Sequence, residues 1–292
     1  MDESEIAKLK LGTCAWSYDD WAGTFYPEHL PAAQRLEFYA RHFSGVEVDS
    51  TFYHPPADHV ARHWAEITPE DFTFAVKLTR EITHDRKLRD CSELLEEFVA
   101  GCRALGDKLG CVLVQLPPYF TLHEDEHALR EFVIRLPRTV RWAIEFRHAD
   151  WHLPRIVHLL EEHSVCWVWP DVTSLEHQAE AAFDFLPRTT DFLYLRLLGD
   201  LENKYHADGQ RIHHYRKLLW PRDAGLENWL LRLQQTIGNV ARALVFSGNH
   251  FEGFAPETLL RFAQRVGLKL QLPTREELSH PSDADSRQLE LL

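Results

Sequence analysis

Eight apolar, β-rich segments recur along the chain, and stretches with the period of an amphipathic helix separate most of them. The eight segments are residues 9–16, 45–52, 72–78, 111–117, 141–147, 165–171, 192–199 and 242–249. The helical stretches are residues 32–43, 92–110, 127–136, 155–163, 227–238 and 256–267. Strands that alternate with helices indicate parallel βαβ units, and eight such units in about 250 residues match the size of a barrel. We therefore predict an α/β fold, a (β/α)8 TIM-like barrel, with an open doubly wound sheet as the alternative.

The two ends of the chain differ in composition from the segments between them. Residues 1–8 and 273–292 are polar and charged, so we expect them to be tails on a single barrel domain of residues 9–272. Residues 200–222 interrupt the alternation after the seventh segment. This stretch is long for a plain strand-to-helix connection, and we predict that it folds over the mouth of the barrel.

Composition excludes several classes of protein. The chain has 292 residues, of which 45% are hydrophobic, and its formal net charge is -13 at pH 7. An acidic chain of this kind does not fit a general nucleic-acid binder, which carries a basic face. No apolar run approaches the length of a spanning helix, the charged N-terminus lacks the apolar core of a signal peptide, and the five cysteines form no CxxC pair. We therefore expect a cytoplasmic protein with reduced thiols and no membrane association.

Charged residues follow the period of the strands. In the second segment Val46 and Val48 alternate with Glu47 and Asp49. Alternate residues of a barrel strand face the helices and the interior, so the two carboxylates are predicted to face inward. The same alternation predicts further inward side chains near the carboxyl ends of strands, namely Lys77, Gln115, Glu145, Arg147, Tyr194 and Arg196. Barrel proteins have their functional sites at that end, which predicts a polar pocket at the mouth.

Five more residues are predicted to contribute to this pocket. They are Tyr53, His84, Trp151, Asp171 and Asn249, which lie at or just after the carboxyl ends of predicted strands. Together with Asp49, Gln115, Arg147, Tyr194 and Arg196 they form the predicted ligand-binding set. The presence of both charge signs, amides and aromatic rings favours a ligand site. The alternative is a structural ion-pair network, since buried charges are costly unless they are paired.

Three residues are candidates for catalysis. Glu47 and Glu145 are candidate proton-transfer groups, and a glycosidase-like pair of carboxylates is one form that this chemistry takes. Lys77 is a candidate nucleophile or, alternatively, an anchor for an anion. Arg147 and Arg196 offer planar guanidinium groups that suit a carboxylate or a phosphate.

Histidine is abundant, with 18 residues in the chain. His84, His148, His206 and His250 are the ones that could approach the mouth and ligate a metal. No HxH or HxxE pair lies at the end of a strand, however. We therefore predict neither a metal site nor a cofactor.

Several motifs of the chain are similar to those of one known family. The stretches are residues 12–27, 46–56, 72–84, 112–120 and 141–151, with weaker similarity at 194–199 and 247–256. Over residues 9–268 the chain resembles the domain of unknown function 72 family, also called YecE-like. The resemblance implies a TIM-barrel fold and a polar pocket whose substrate is not established.

The chain departs from the family pattern at three places. Members usually have Asn at the position of Asp49, often have His at that of Leu198, and tend towards paired Asn where Ser247 and Gly248 precede Asn249. These departures make the pocket more acidic and remove a histidine after the seventh strand. The leading functional hypothesis is an enzyme that uses acid–base or hydrolytic chemistry on a small polar, anionic or sugar-like metabolite. A non-catalytic barrel that binds a ligand or a protein partner is the alternative.

Overall fold

The computed structural model of the chain describes residues 1–172, 185–200 and 214–279. The strands in these ranges are β1 Leu9–Thr13, β2 Gly45–Val48, β3 Thr73–Lys77, β4 Leu109–Gln115, β5 Trp142–Glu145, β6 Val165–Trp167, β7 Trp169–Val172, β8 Phe192–Gly199 and β9 Arg242–Ser247. The α-helices there are α1 Glu3–Ile6, α2 Arg35–Tyr39, α3 Asp58–Glu66, α4 Ser92–Cys102, α5 Leu122–Arg135, α6 Pro154–Glu162, α7 Asp223–Ile237, α8 Ala255–Val266 and α9 Arg275–Ser279. The long connection predicted at residues 200–222 is described only at its two ends.

The strands form two parallel sheets. One sheet has the order β2-β3-β4-β5-β6, and the other has the order β1-β9-β8-β7. Every pair of neighbouring strands is parallel. The fold is therefore the parallel α/β structure of the TIM-barrel type that the sequence predicts.

Backbone contacts join the two sheets at two seams. At the first seam Cys14 and Glu47 form a parallel bridge, and the Ala15 N–H donates to the Glu47 carbonyl at 2.8 Å. At the second seam Val168 separates β6 from β7, and its N–H donates to the Ile144 carbonyl at 2.9 Å. The sixth predicted strand is thus two short strands, one in each sheet.

The strands separate two apolar clusters, as the alternation predicts. The inner cluster consists of Cys14, Ala75, Cys111, Leu113, Ala143, Cys166, Val168, Val172, Phe192, Tyr194, Leu198, Leu244 and Phe246. The outer cluster packs strand residues such as Val46, Val48 and Ile144 against the helices. All five cysteines are buried free thiols. Among the described helices, none has the length and apolar composition needed to cross a membrane.

Strand β2 is shorter than the segment from which it was predicted. It ends at Val48, and Asp49–Phe52 continues as a 3-10 helix. The Thr51 hydroxyl lies 2.8 Å from the carbonyl oxygens of both Val48 and Lys77, which fixes this turn beside β3. Because the alternation of faces ends with the strand, Tyr53 is 70% exposed and does not point inward.

The first seam leads to a prediction about stability. A Cβ atom on Gly12 would lie 1.9 Å from the Gly45 carbonyl oxygen, a backbone atom that cannot move aside. Gly12→Ala is therefore expected to lower the free energy of unfolding by about 3 kcal/mol, because it overpacks the seam. Denaturant unfolding at equilibrium measures the change.

A matched substitution at Gly225 is the control. Gly225 lies within α7, and a Cβ there would make only ordinary contacts, the nearest at 3.7 Å. Gly225→Ala is expected to raise stability by roughly 0.5–1 kcal/mol, as alanine does in a helix. Equal effects from the two substitutions would contradict the tight approach of β1 to β2.

Candidate active site at the carboxyl ends of the strands

A buried arginine at the centre of the fold joins two carboxylates from the other sheet. Arg196 in β8 donates from Nε to Glu47 Oε2 at 2.8 Å and from Nη2 to Glu47 Oε1 at 2.5 Å. Its Nη1 donates to Glu145 Oε2. Both glutamates are fully buried, and Arg196 is only 2% exposed. The sequence pattern predicted that all three side chains face inward, and the structure brings them into direct contact.

Two further residues complete this cluster, which we call the Arg196 network and define as Glu47, Glu145, Arg147, Tyr194 and Arg196. The Tyr194 hydroxyl donates to Glu47 Oε2 at 2.5 Å, and Arg147 Nε donates to Glu145 Oε1. Every carboxylate oxygen in the network therefore accepts at least one hydrogen bond. Such hydrogen bonds offset the cost of burying the charges.

The network holds Glu145 in its ionised form. Burial alone raises the pKa of this carboxyl group, but the positive charges of Arg147 and Arg196, together with their hydrogen bonds, lower it by more. The resulting pKa is about 2, compared with an ordinary value of 4.5. Burial lowers the pKa of Arg196, whereas Glu145 and Glu47 raise it by more, so the guanidinium stays charged.

A cavity of about 580 Å³ lies at the mouth, and Arg196 contributes to its wall. Its lining residues are Cys14, Tyr18, Asp49, Lys77, Gln115, Pro118, Arg147, Arg196, Leu198, Tyr215, Gly248, Asn249 and His250. Six of these were predicted from the sequence as site residues: Asp49, Lys77, Gln115, Arg147, Arg196 and Asn249. Three members of the Arg196 network do not line the cavity, because they lie behind Arg196. They are Glu47, Glu145 and Tyr194.

Lys77, at the end of β3, is the third cation of the cavity wall, after Arg147 and Arg196, and it too lies near a carboxylate. Its Nζ lies 3.2 Å from Asp49 Oδ1 and 4.6 Å from the centre of the Phe52 ring. This contact is an ion pair but not a hydrogen bond. Asp49 Oδ1 has no hydrogen-bond partner among the described residues. A ligand with a donor group could therefore bond to Asp49 while its anionic end contacts Lys77.

The loop that follows β9 supplies an amide and an imidazole. The Asn249 side chain accepts a hydrogen bond from the Ala255 N–H at the start of α8. Its Nδ2 is buried and has no hydrogen-bond partner in the described part of the chain. His250 Nδ1 lies 3.1 Å from the Tyr215 hydroxyl. An unpaired buried donor beside a cavity is the kind of group that a ligand satisfies.

Tyr215 reaches the cavity because the segment before α7 is bonded to the same loop. The Leu219 N–H donates to the Glu252 carbonyl at 2.7 Å, and the Trp220 indole donates to the Phe251 carbonyl at 2.9 Å. These bonds place the end of the predicted 200–222 connection at the mouth. The rest of that connection, including His206, lies outside the described residues.

Two predicted ligand-binding residues lie apart from the cavity. Asp171 accepts hydrogen bonds from Arg222 and from the Trp229 indole of α7, on the helix side of β7. It faces outward because Val168 and Val172 occupy the inward positions of this segment. Trp151 is fully buried and donates to the Phe120 carbonyl, in the outer apolar cluster. Its indole is stacked on Phe120 and Phe146, and this packing keeps it out of the cavity wall.

Two other predicted residues, Tyr53 and His84, lie beside the cavity without lining it. The cavity in turn has lining residues outside the predicted set, namely Cys14, Tyr18, Pro118, Leu198, Tyr215, Gly248 and His250. The alternation of β8 that placed Tyr194 and Arg196 inward also indicates Leu198. Nothing in the sequence pattern indicates Tyr215.

Among the described residues no group of three or more His, Cys, Asp or Glu side chains is arranged to hold a metal ion. His148 Nδ1 lies 2.7 Å from Asp150 Oδ1, and His250 contacts Tyr215, so these two candidates have protein partners. The Cys14 thiol has a raised pKa, because of its burial and the negative charge of Glu47, and this keeps it protonated. The prediction that the protein needs no metal or cofactor stays a prediction.

Fold and site together define a TIM-barrel-type α/β protein with a charged cavity at the carboxyl ends of its strands. Residues 10–283 match the family described as "Protein of unknown function DUF72". The chain belongs to this family, which confirms the resemblance that its motifs carry.

Curated relatives and solved structures agree with this membership. The UPF0759 protein YecE of Escherichia coli is 34% identical over 142 residues, 49% of each chain, so the match spans about half the length of that relative. The UPF0759 protein YunF of Bacillus subtilis is 26% identical over 228 residues, which cover 76% of this chain and 75% of YunF. A crystal structure of a DUF72 family protein from Thermotoga maritima has a TM-score of 0.71 and 25% identity, covering 89% of this chain and 99% of that one.

The Arg196 network predicts how stability depends on pH. The pKa of Glu145 is lower in the folded protein than its ordinary value of 4.5, so ionised Glu145 stabilises the fold above about pH 4.5. This contribution is lost as the pH falls towards about 2, where the folded-state carboxyl group takes up its proton. We expect Glu145→Gln to be less stable than wild type at pH 7 and to lose less stability on acidification.

Urea unfolding from about pH 5 to about pH 2.5 measures how the free energy of unfolding changes with pH in wild type and in Glu145→Gln. Glu93→Gln, on the exposed face of α4, is the matched control and should keep the wild-type slope. A Glu145→Gln variant with the same pH slope as wild type would contradict a strongly ionised Glu145.

Proposed function

We propose that the cavity at the mouth binds a small metabolite with an anionic or polyhydroxylated group, and that Arg147 and Lys77 hold this group. The observation that carries the proposal is the bonding of Arg147. In the described part of the chain its hydrogen bond to Glu145 uses Nε alone, and its side chain also lines the cavity. The two terminal amino groups of its guanidinium remain available for a carboxylate or a phosphate, the geometry that arginine binds best.

The charges around the cavity support this proposal. Three cations, Lys77, Arg147 and Arg196, face three carboxylates, Asp49, Glu47 and Glu145, in the contacts described above. The positive and negative charges of the site therefore balance without a ligand, although the whole chain is acidic. An anionic group of a ligand would replace water at Arg147 and Lys77, where the fixed guanidinium and ammonium need no rearrangement to receive it.

For an enzyme, the geometry favours His250 over the two glutamates as the group that transfers protons. Glu47 and Glu145 have all their oxygens bonded and do not line the cavity. Since Glu145 has a pKa of about 2, it would also be a weak base near neutral pH. His250 lines the cavity and contacts the Tyr215 hydroxyl. In this proposal the glutamates act as positioning residues that hold Arg147 and Arg196.

A non-catalytic barrel that binds the same ligand is the second candidate. The observation in its favour is that both carboxylates proposed from the sequence for proton transfer are held in ion pairs. The two candidates differ in whether the bound ligand is chemically changed. NMR spectra of the ligand, recorded before and after incubation with wild-type protein, distinguish them.

The Arg147→Met variant tests the binding proposal. Calorimetric titration of wild type with phosphate, sulfate and gluconate is expected to show binding of at least one of these anions. Arg147→Met should weaken that binding at least about tenfold, because a charge-assisted pair of hydrogen bonds is lost. The variant should still fold, since Glu145 keeps its contact with Arg196.

The control is Arg62→Met, which removes an exposed arginine of α3 that pairs with Asp58. It should bind the anions as wild type does. Lys77→Met should weaken binding as well, with a modest loss of stability because its partner Asp49 is partly exposed. If wild type binds none of these anions, or if Arg62→Met weakens binding as much as Arg147→Met, the proposal is wrong.

A further inference from the structure

Four rings lie in a row beside the cavity, and we call them the aromatic row: Tyr53, Phe52, His84 and Tyr119. The centre of the Phe52 ring is 5.6 Å from that of Tyr53 and 5.0 Å from that of His84. The His84 and Tyr119 centres are 6.4 Å apart. We propose that this row is the second part of the binding site and holds a planar aromatic ring of the ligand whose anionic group the cavity binds. The inference rests on the proposed function, and it names the class of ligand.

The row is continuous with the cavity at two points. Lys77, which lines the cavity, has its Nζ 4.6 Å from the centre of the Phe52 ring. Pro118 also lines the cavity, and the next residue in the chain is Tyr119. A ligand with its anionic end at Lys77 would therefore have its adjoining part beside Phe52 and His84.

The exposure of the row is unusual for this protein. The large hydrophobic side chains that are exposed in the described part of the chain are Tyr53, Tyr119, Ile134 and Leu231. Ile134 lies on α5 and Leu231 on α7, on helices of the outer layer. Tyr53 and Tyr119 are 70% and 51% exposed and belong to the same row. Two exposed tyrosines at the edge of a charged cavity form an apolar surface that a bound ring can cover.

The arrangement of the rings suits a planar partner. The interplanar angles are 76° for Phe52 and Tyr53, 82° for Phe52 and His84, and 80° for His84 and Tyr119. Because these are edge-to-face contacts, no ring of a pair is stacked on its neighbour. Each contact occupies one face of one ring, and Lys77 and Lys87 lie over the Phe52 and Tyr119 rings. The exposed parts of Tyr53 and Tyr119 remain for an added aromatic ring in an offset-stacked or edge-to-face contact.

His84 behaves as a neutral ring in this row. Burial and the positive charges of Lys77 and Arg80 lower its pKa to about 4, and Arg147 adds to the effect. The Nδ1 atom of His84 lies 2.8 Å from the Thr83 hydroxyl, which fixes the orientation of the imidazole. Because His84 is uncharged at neutral pH, it adds no cation to repel the ring edge of a ligand.

A sugar ring fits the row less well than an aromatic one. Its several hydroxyl groups would need hydrogen-bond partners, and the row offers only the Tyr53 and Tyr119 hydroxyls and His84 Nε2. Phe52 has no polar atom, and His84 Nδ1 is bonded to the Thr83 hydroxyl. The ligand class is therefore an aryl anion: a phosphate or carboxylate at one end, which Lys77 and Arg147 bind, and a planar ring at the other.

A series of phosphate monoesters tests the inference by calorimetric titration. The probes are methyl phosphate, phenyl phosphate, naphthyl phosphate and glucose 6-phosphate. Wild type should bind the two aryl phosphates about 3- to 10-fold more tightly than methyl phosphate, the gain expected from one added aromatic contact. Glucose 6-phosphate should show no comparable gain.

Variants of Tyr119 identify the row as the cause. Tyr119→Ala removes an exposed ring that does not line the cavity, and it should reduce the advantage of naphthyl phosphate over methyl phosphate to within about twofold. Tyr119→Phe keeps the ring and should keep the advantage. Ile134→Ala, which removes another exposed apolar side chain on α5, should leave the whole series unchanged.

The outcomes separate this inference from the proposed function. If wild type binds none of these phosphate monoesters, the inference is wrong, and the proposed function is wrong as well only if phosphate, sulfate and gluconate also fail to bind. If methyl, phenyl and naphthyl phosphate bind equally well, the anion site stands and the aromatic row plays no part in binding. A gain for glucose 6-phosphate alone, or an aryl gain that survives Tyr119→Ala, would likewise overturn the inference.

Discussion

The contact of Arg196 with Glu47 and Glu145 is the interaction on which the rest of the site depends. It joins β8 of one sheet to β2 and β5 of the other, and all three side chains are buried. A buried charge that loses its partner destabilises a protein by about 3–5 kcal/mol, whereas a complete network costs little. The three charges therefore constrain one another, and Arg147, bonded to Glu145, is held at the cavity as a result. A rigid cation at the mouth follows from the same bonds that satisfy the interior.

Much of this arrangement could be predicted from the alternation of residues along the strands. Alternation placed Glu47, Lys77, Glu145 and Arg196 inward, and the structure has them there, because a strand with one apolar face can be placed in only one way. The prediction depended on knowing where each strand ends. Tyr53 does not continue the inward alternation and is 70% exposed, since β2 gives way to a 3-10 helix at Asp49.

Other parts of the site could not be predicted, for reasons of tertiary structure. Asp171 was predicted to bind the ligand, but the split of the sixth segment at Val168 leaves it facing α7. Tyr215 enters the cavity wall because hydrogen bonds to the loop after β9 fix its segment, and no local pattern specifies such bonds. The sequence also could not show that the two glutamates bond to arginines through every oxygen. That feature changes their proposed role from proton transfer to positioning.

The separation of the network partners along the chain has a consequence for how the protein folds. Glu47 and Arg196 are 149 positions apart, and Glu145 and Arg196 are 51 apart. A nascent chain that has emerged only as far as β6 would contain both carboxylates and Arg147, which bonds to Glu145, but not Arg196, which bonds to both. Burying Glu47 at that stage, without Arg196, would carry a large electrostatic penalty, so the first sheet gains little from compacting before β8 arrives. The charges thus favour one order of folding. The two sheets would collapse together in a single late step, and the structure would not grow stepwise from the N-terminus.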